Sequence, residues 1–250
     1  AQPKEMLLVV DRPVIQYVVE EGLAAADEVV IINSRDKKSI EEHFTPNPAL
    51  EAELRSRGKD KYADKVAHAG NLNVSYVYQD EPLGLGHAVH CAAEATGNEP
   101  FFVLLGDVIV PDNQMLIKMK EVSDAHNGAS VIAVLPVAKD QVDRFGVIDG
   151  VEVSEGVWKV NSLVEKPAVE EAPSNLAVFG RYLLTPRVME LLADAKPGAG
   201  NEIQLTDALD ALLKEEEMYA LVIDPEDGYD TGTIESWLDT NNRLYKKLHG

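Results

Sequence analysis

Five short runs of apolar, largely β-branched residues, EVVII, NVSYVY, FFVLLG, ASVIAVLPV and YALVID, recur along the chain with helix-periodic segments between them. Each run has the length of one buried strand, and a segment with apolar residues every 3.6 positions covers a sheet face as an amphipathic helix. Strand and helix in alternation build an α/β sheet. Proline marks the helix starts: Pro13, Pro48 and Pro186 sit where a first helical turn tolerates a missing N–H, the last two directly after the cap candidates Asn47 and Thr185. The middle of the chain changes character. FGVIDGVEVSEGVWKVNSLVEKP and SNLAVFGRYLLT read as strands with few helices between them, an inserted antiparallel or mixed portion. PAVEEAPSN and KPGAGN are loops too short to tether two domains.

A chain of 250 residues removes roughly 70–75% of its unfolded surface from water on folding, so it can fill a sizeable core. Its formal charge of −20 repels polyanions over the whole surface and argues against nucleic acid or an anionic membrane as partner. A small phosphate compound would need local cations or a bound metal to overcome that field. No apolar run is long enough to span a bilayer. AQPKEMLLVVDRP lacks the pattern of a secretory signal, so cytoplasm is the expected location. The single cysteine, Cys91, lies in the apolar stretch HAVHCAAEA and reads as packing, and no Cys/His cluster offers a zinc site.

Several motifs can carry chemistry, and each also has a plain structural reading. Gly106 and Asp107 end the apolar run FFVLLG, where open α/β sheets bind ligands, although Gly-Asp also simply turns a chain. Gly84 and Gly86 in QDEPLGLGHAV stand before a helical pattern and let a ligand approach the backbone; their spacing does not match G-x-G-x-x-G, and a turn is the alternative. Glu165 and Lys166 end LVEKP on opposite faces of a regular strand, so a local twist would be needed to turn both the same way. Otherwise they form a solvated ion pair. Asp230 in GYDTG precedes the helical TIESWLDTNNRLYKKL and can equally be a turn residue. An aspartic protease is excluded, because such enzymes are all-β and this chain has one D-T-G triplet. Lys4 has no independent claim to function.

In their order and rough spacing, PKEML, IQYVVEE, PLGLGHAV, LLGD, FGV, LVEKP, PSNLA-x-x-GRY, EIQLTDAL and YDTG resemble the sugar-1-phosphate nucleotidyltransferases, in particular the bacterial UTP-glucose-1-phosphate uridylyltransferases. The resemblance covers nearly the whole chain. It implies a Rossmann-like nucleotidyltransferase fold, a central mixed, mostly parallel sheet flanked by helices with a small antiparallel sugar-binding portion, in a single domain over 1–250. It implies direct in-line attack of the glucose-1-phosphate oxygen on the α-phosphorus of UTP, giving UDP-glucose and pyrophosphate, with Mg2+ as cofactor.

By the same resemblance, Asp107 and Asp230 hold the metal, Lys4 lies near the triphosphate, and Lys166 lies near the sugar phosphate. Gln79 bonds the uracil edge and Gly84 lets the backbone meet the base or ribose. Glu165 takes sugar hydroxyls, with Gly146, Asn175, Gly180 and Glu202 lining the pocket. Assembly as a homodimer or homotetramer is expected. In the family a first strand and a glycine-rich loop with an arginine precede the segment matching AQPKEML, and we expect weak activity from a chain without them. YDTGTIESW is closer to the thymidylyl branch, so a thymidylyl- or cytidylyltransferase stays open beside the uridylyl reading, as does a non-catalytic nucleotide-sugar-binding homologue.

Overall fold

The computed structural model describes residues 2–111 and 114–250. Short strands β1 (Leu8–Val9) and β2 (Arg12–Pro13) lead into helix α1 (Val14–Leu23), strand β3 (Val29–Asn33), helices α2 (Lys38–His43), α3 (Pro48–Ser56) and α4 (Asp60–Gly70), and strand β4 (Val74–Tyr78). Helices α5 (Leu85–Cys91) and α6 (Ala93–Thr96) precede β5 (Phe101–Leu104) and β6 (Val108–Ile109), and α7 (Met115–Ala125) precedes β7 (Ser130–Pro136). Strands β8 (Gly146–Ser154), β9 (Val157–Glu165) and β10 (Leu176–Leu184) form the strand-rich middle. Helices α8 (Arg187–Ala193) and α9 (Leu205–Leu212), strands β11 (Met218–Val222) and β12 (Tyr229–Asp230), and helix α10 (Ile234–His249) complete the order.

The five apolar runs are strands β3, β4, β5, β7 and β11, as the periodicity predicts. The main sheet has the order β5-β10-β7-β11-β9-β8, and β3 pairs separately with β4. It is mixed and flanked by helices as expected, but its ladders are not mostly parallel: β7–β11 is the parallel pair within it, and β3–β4 is parallel outside it. The cause is β10. Strand β10 returns from the β8–β9 hairpin and inserts antiparallel between β5 and β7, so strands that run in one direction are separated by one that does not. Consequently β5, β7 and β11 point the same way, and their carboxyl ends share one edge of the sheet.

The proline signals hold in part. Asn47 accepts a hydrogen bond from the Leu50 N–H at the start of α3, with Pro48 in the first turn. Pro13 comes one residue before α1. Thr185 does not cap α8, because its hydroxyl donates to Glu216 instead, and Pro186 already has helical angles of φ −61° and ψ −19° ahead of Arg187.

The core lies between the sheet and its helices. Ile132, Val134, Ile148, Leu184, Leu209 and Leu212 pack in one cluster with Val188 and Met218, and each fully buried aliphatic side chain contributes roughly 1.5–3 kcal/mol. On α1, Val14 and Val18 face inward at helical spacing, and Glu21 falls on the same face. No helix among the described residues is long and apolar enough to cross a membrane.

Candidate active site

Asp107 follows β5 in the turn to β6, and Asp230 lies in β12, which pairs with β6 so that Asp230 stands opposite Val108. A two-residue antiparallel ladder therefore joins segments more than a hundred positions apart. Next to it, Thr231 donates to the Asp107 carbonyl from both its N–H at 2.9 Å and its hydroxyl at 2.7 Å. The two carboxylates converge. A Cβ placed on Gly232 would lie 3.2 Å from Asp230 Oδ1 and 3.6 Å from Asp107 Oδ2, so both face one small volume that the absent side chain leaves open. Lys4 Nζ donates to Asp107 Oδ2 at 2.6 Å. Partial burial pulls the Lys4 ammonium down, but the hydrogen bond and charge of Asp107, with Glu5 and Asp230 adding, outweigh it and hold the group above the ordinary lysine value.

A second cluster forms where the β8–β9 hairpin meets α9. Gly146 stands opposite Glu165 in the ladder. A Cβ on Gly146 would lie 3.2 Å from Glu165 Oε2 and 3.6 Å from Thr206 Oγ1, so glycine keeps space beside the carboxylate. Thr206, near the start of α9, donates to Glu165 Oε2 at 2.7 Å. Lys166 adopts a left-handed φ of +45°. That twist brings its Nζ to 3.6 Å from Glu165 Oε1 and turns both side chains the same way, which a regular strand forbids. Gly146 also neighbours Val178, which pairs with Val134 in β7.

A third group gathers at the carboxyl end of β4. The Gln79 amide donates to the Gly84 carbonyl at 3.1 Å and to His87 Nδ1 at 2.9 Å, which engages both of its hydrogens. Gly84 has φ +106°, and a Cβ there would meet the Ile203 carbonyl at 2.7 Å and Glu202 Cβ at 2.8 Å. The segments Leu83–Gly86 and Glu202–Ile203 are laced by Gly86 N–H to Ile203 O at 2.8 Å and Ile203 N–H to Leu83 O at 2.7 Å. Glu202 thus sits beside Gly84.

Two predicted residues stand apart from these groups. Asn175 is exposed ahead of β10 and is fastened to Val137 through both its backbone and its side-chain amide. Gly180 lies at a register shift in β10 with φ +63°, and its open side is filled by Leu105 at 3.0 Å, so backbone strain and packing account for glycine there. Two cavities, of about 450 Å3 beside Arg35 and Tyr78 and about 700 Å3 beside Leu8 and His43, hold none of the predicted residues.

Three functional candidates escape a reading of the sequence: Thr206, Thr231 and the buried pair Glu21–Arg181. Glu21 and Arg181 carry a visible signal, a charge on the inward face of an apolar helix and another inside the apolar strand LAVFGRYLL. Thr206 and Thr231 carry none, because threonine is at home in a helix start or a turn.

The chain belongs to the nucleotidyl transferase family, whose model matches residues 1–247. Among its relatives, the UTP–glucose-1-phosphate uridylyltransferase of Staphylococcus haemolyticus is 44% identical over 234 residues, 93% of this chain and 81% of that one. A putative UTP–glucose-1-phosphate uridylyltransferase of Methanocaldococcus jannaschii is 42% identical over 96% of this chain and 85% of its own length. A solved UDP-glucose pyrophosphorylase in complex with UDP-glucose superposes with a TM-score of 0.85 at 39% identity, covering 98% of this chain and 91% of that one. The UTP-bound enzyme of Acinetobacter baumannii gives 0.87 at 35% identity, covering 100% and 87%.

Proposed function

We propose that this chain, folded as a single nucleotidyltransferase domain, transfers a uridylyl group from UTP to glucose-1-phosphate, giving UDP-glucose and pyrophosphate. The observation that carries the reading is the convergence of Asp107, Asp230 and Lys4 at the carboxyl edge of the sheet. Mg2+ prefers hard oxygen ligands and is commonly held by one or two carboxylates, with substrate phosphates and water completing its shell. The paired carboxylates over Gly232 fit that requirement, and among the described residues no larger cluster competes for the role. When bound, the ion acts as Lewis acid and template for the phosphate oxygens.

The chain's own residues supply orientation and charge. The sugar-phosphate oxygen attacks the α-phosphorus in line, without a covalent enzyme intermediate, so holding two polyanions together is the main demand. Lys4 faces the triphosphate and Lys166 the sugar phosphate, each a local cation in a chain of −20. Glu165, oriented by Thr206, accepts from sugar hydroxyls in the space that Gly146 leaves. Glu202 borders the site beside Gly84, while Asn175 and Gly180, which stand apart from the clusters, would reach the sugar only through the main chain around β10.

Gln79 meets the base with its amide oxygen, since its hydrogens are engaged by Gly84 and His87. An acceptor suits the N3–H of uracil and rejects cytosine, which has no hydrogen there. Thymine offers the same edge, so the same residue also supports thymidylyl transfer. The deciding assay is pyrophosphate release from glucose-1-phosphate with UTP, dTTP, CTP and ATP in turn. It is run on this chain and on one preceded by the N-terminal segment of the S. haemolyticus relative. UTP-selective turnover establishes the reading. Binding of UDP-glucose without turnover in either chain replaces it with a nucleotide-sugar-binding protein.

Helix α10 supports a homo-oligomer, dimer or tetramer. Ile234, Leu238, Tyr245 and Leu248 are exposed at helical spacing on one face, Ile234 by 81%. Leu238→Glu should then shift the mass measured by light scattering to that of a monomer. The cytoplasm, where nucleoside triphosphates are available, is the proposed location.

A further inference from the structure

The geometry points to Arg181, locked by Glu21, as the positioning residue that aims Asp107. This rests on the reading of Asp107 as a metal-holding carboxylate. Arg181 on β10 and Glu21 on α1 are 0% and 1% exposed. Glu21 accepts from Arg181 Nε at 2.9 Å and from Nη2 at 2.7 Å. The guanidinium spends its remaining donors on main-chain carbonyls. Nη1 donates to Gly180 at 3.0 Å and to Leu105 at 3.3 Å, and Nη2 donates to Val108 at 2.8 Å.

Leu105 and Val108 bracket Gly106 and Asp107. A guanidinium is planar with its donors in a fixed fork, so engaging one edge with a carboxylate determines where the other edge can reach. Glu21 therefore sets the orientation of Arg181, and Arg181 sets the two carbonyls on either side of the turn that carries Asp107. The carbonyl of Asp107 itself is held from the other direction by Thr231. The turn is thus tied to β10 through Arg181 and to the segment after β12 through Thr231. A buried ion pair is poor evidence of stabilisation, since apolar replacements are often equally stable. Its place directly behind the turn is what a positioning role requires.

The test titrates the full chain with Mn2+, reading free ion by electron paramagnetic resonance, and records a thermal melt on each sample. The paired variant Glu21→Leu/Arg181→Met removes both charges together, so neither is left buried alone. We expect a melting temperature close to the parent and a Kd for Mn2+ raised about tenfold, the scale seen when partners behind metal ligands are lost. In an Asp107→Asn background the paired change should shift Mn2+ binding no further, whereas a merely structural pair would not move the Kd in either background.

If the paired variant folds and binds Mn2+ like the parent while Asp107→Asn binds it weakly, the positioning role is overturned and the metal reading stands. If Asp107→Asn binds like the parent, or the parent does not bind Mn2+, the metal reading fails and the positioning role with it. Should the paired variant not fold, Arg181→Lys carries the test. Its ammonium still neutralises Glu21 but cannot span both carbonyls, and an unchanged Kd there overturns the proposal.

Discussion

At the carboxylate end of the site, Asp107 is held through the main chain, its own carbonyl by Thr231 and the neighbouring Val108 carbonyl by the buried Arg181. At the glutamate end, Glu165 is held through its side chain, by one bond from Thr206, beside a Lys166 that is 60% exposed. The first arrangement fixes where the Asp107 carboxylate stands through the main chain, with Lys4 donating to its Oδ2. The second occupies one oxygen and leaves the other to a hydroxyl. Backbone anchoring suits a group that meets concentrated charge, and side-chain anchoring suits one that selects among neutral hydroxyls.

Asp107→Asn tests the comparison most severely. It should lower turnover by at least about 10²-fold, the scale for losing one preorganised electrostatic contact, with little change in melting temperature because Asp107 is partly exposed. Initial rates of pyrophosphate release and a melt on the same sample check both halves; a large loss of stability would mean that the two ends are not anchored differently.

Glu165→Gln should act on the other substrate. It keeps an acceptor for Thr206 but loses the charge, and a hydrogen bond to a charged group contributes about 1.5–3 kcal/mol. We expect the KM for glucose-1-phosphate to rise by roughly tenfold or more with the KM for UTP unchanged. Equal effects on both KM values would erase the distinction.

Lys4→Met sharpens the carboxylate end by splitting its two states. Lys4 donates to Asp107 Oδ2 at 2.6 Å, so it competes with a cation for that oxygen. The variant should bind Mn2+ more tightly without nucleotide yet turn over more slowly with it. Mn2+ binding that is unchanged or weaker would show that Lys4 does not guard the oxygen.

Gly180→Ala should have the smallest effect on catalysis. Its φ of +63° strains any side chain, and the new methyl would press Leu105 at 3.0 Å, a cost of about 1–2 kcal/mol. We expect a lower melting temperature with a modest loss of turnover, transmitted through Leu105 to the turn before Asp107. A large, selective rise in the KM for glucose-1-phosphate would instead favour direct contact with the sugar.

The strands of the fold were legible because β-branched runs such as ASVIAVLPV leave few alternatives. The insertion of β10 between β5 and β7 was not, because strand order depends on contacts between distant segments and no local pattern encodes it. The same division runs through the site. Asp107 and Glu165 stand at strand ends where a sequence can be read, and Gly146 opposite Glu165 follows from the hairpin. The convergence of Asp107 with Asp230 required the ladder between β6 and β12, two residues long and silent in any periodicity. Thr206 makes its contact through its hydroxyl and Thr231 through its hydroxyl and N–H, contacts that exist only in three dimensions.

Lys166 carries a further consequence. A non-glycine residue at φ +45° stores backbone strain, on the order of 1–3 kcal/mol at such positions. Selection for thermal tolerance alone would therefore find an easy gain at residue 166, by glycine or asparagine, and would give up the cation in taking it. On the proposed role of Lys166 at the sugar phosphate, durability and catalysis pull in opposite directions at this residue, so attempts to toughen this chain should leave it unchanged.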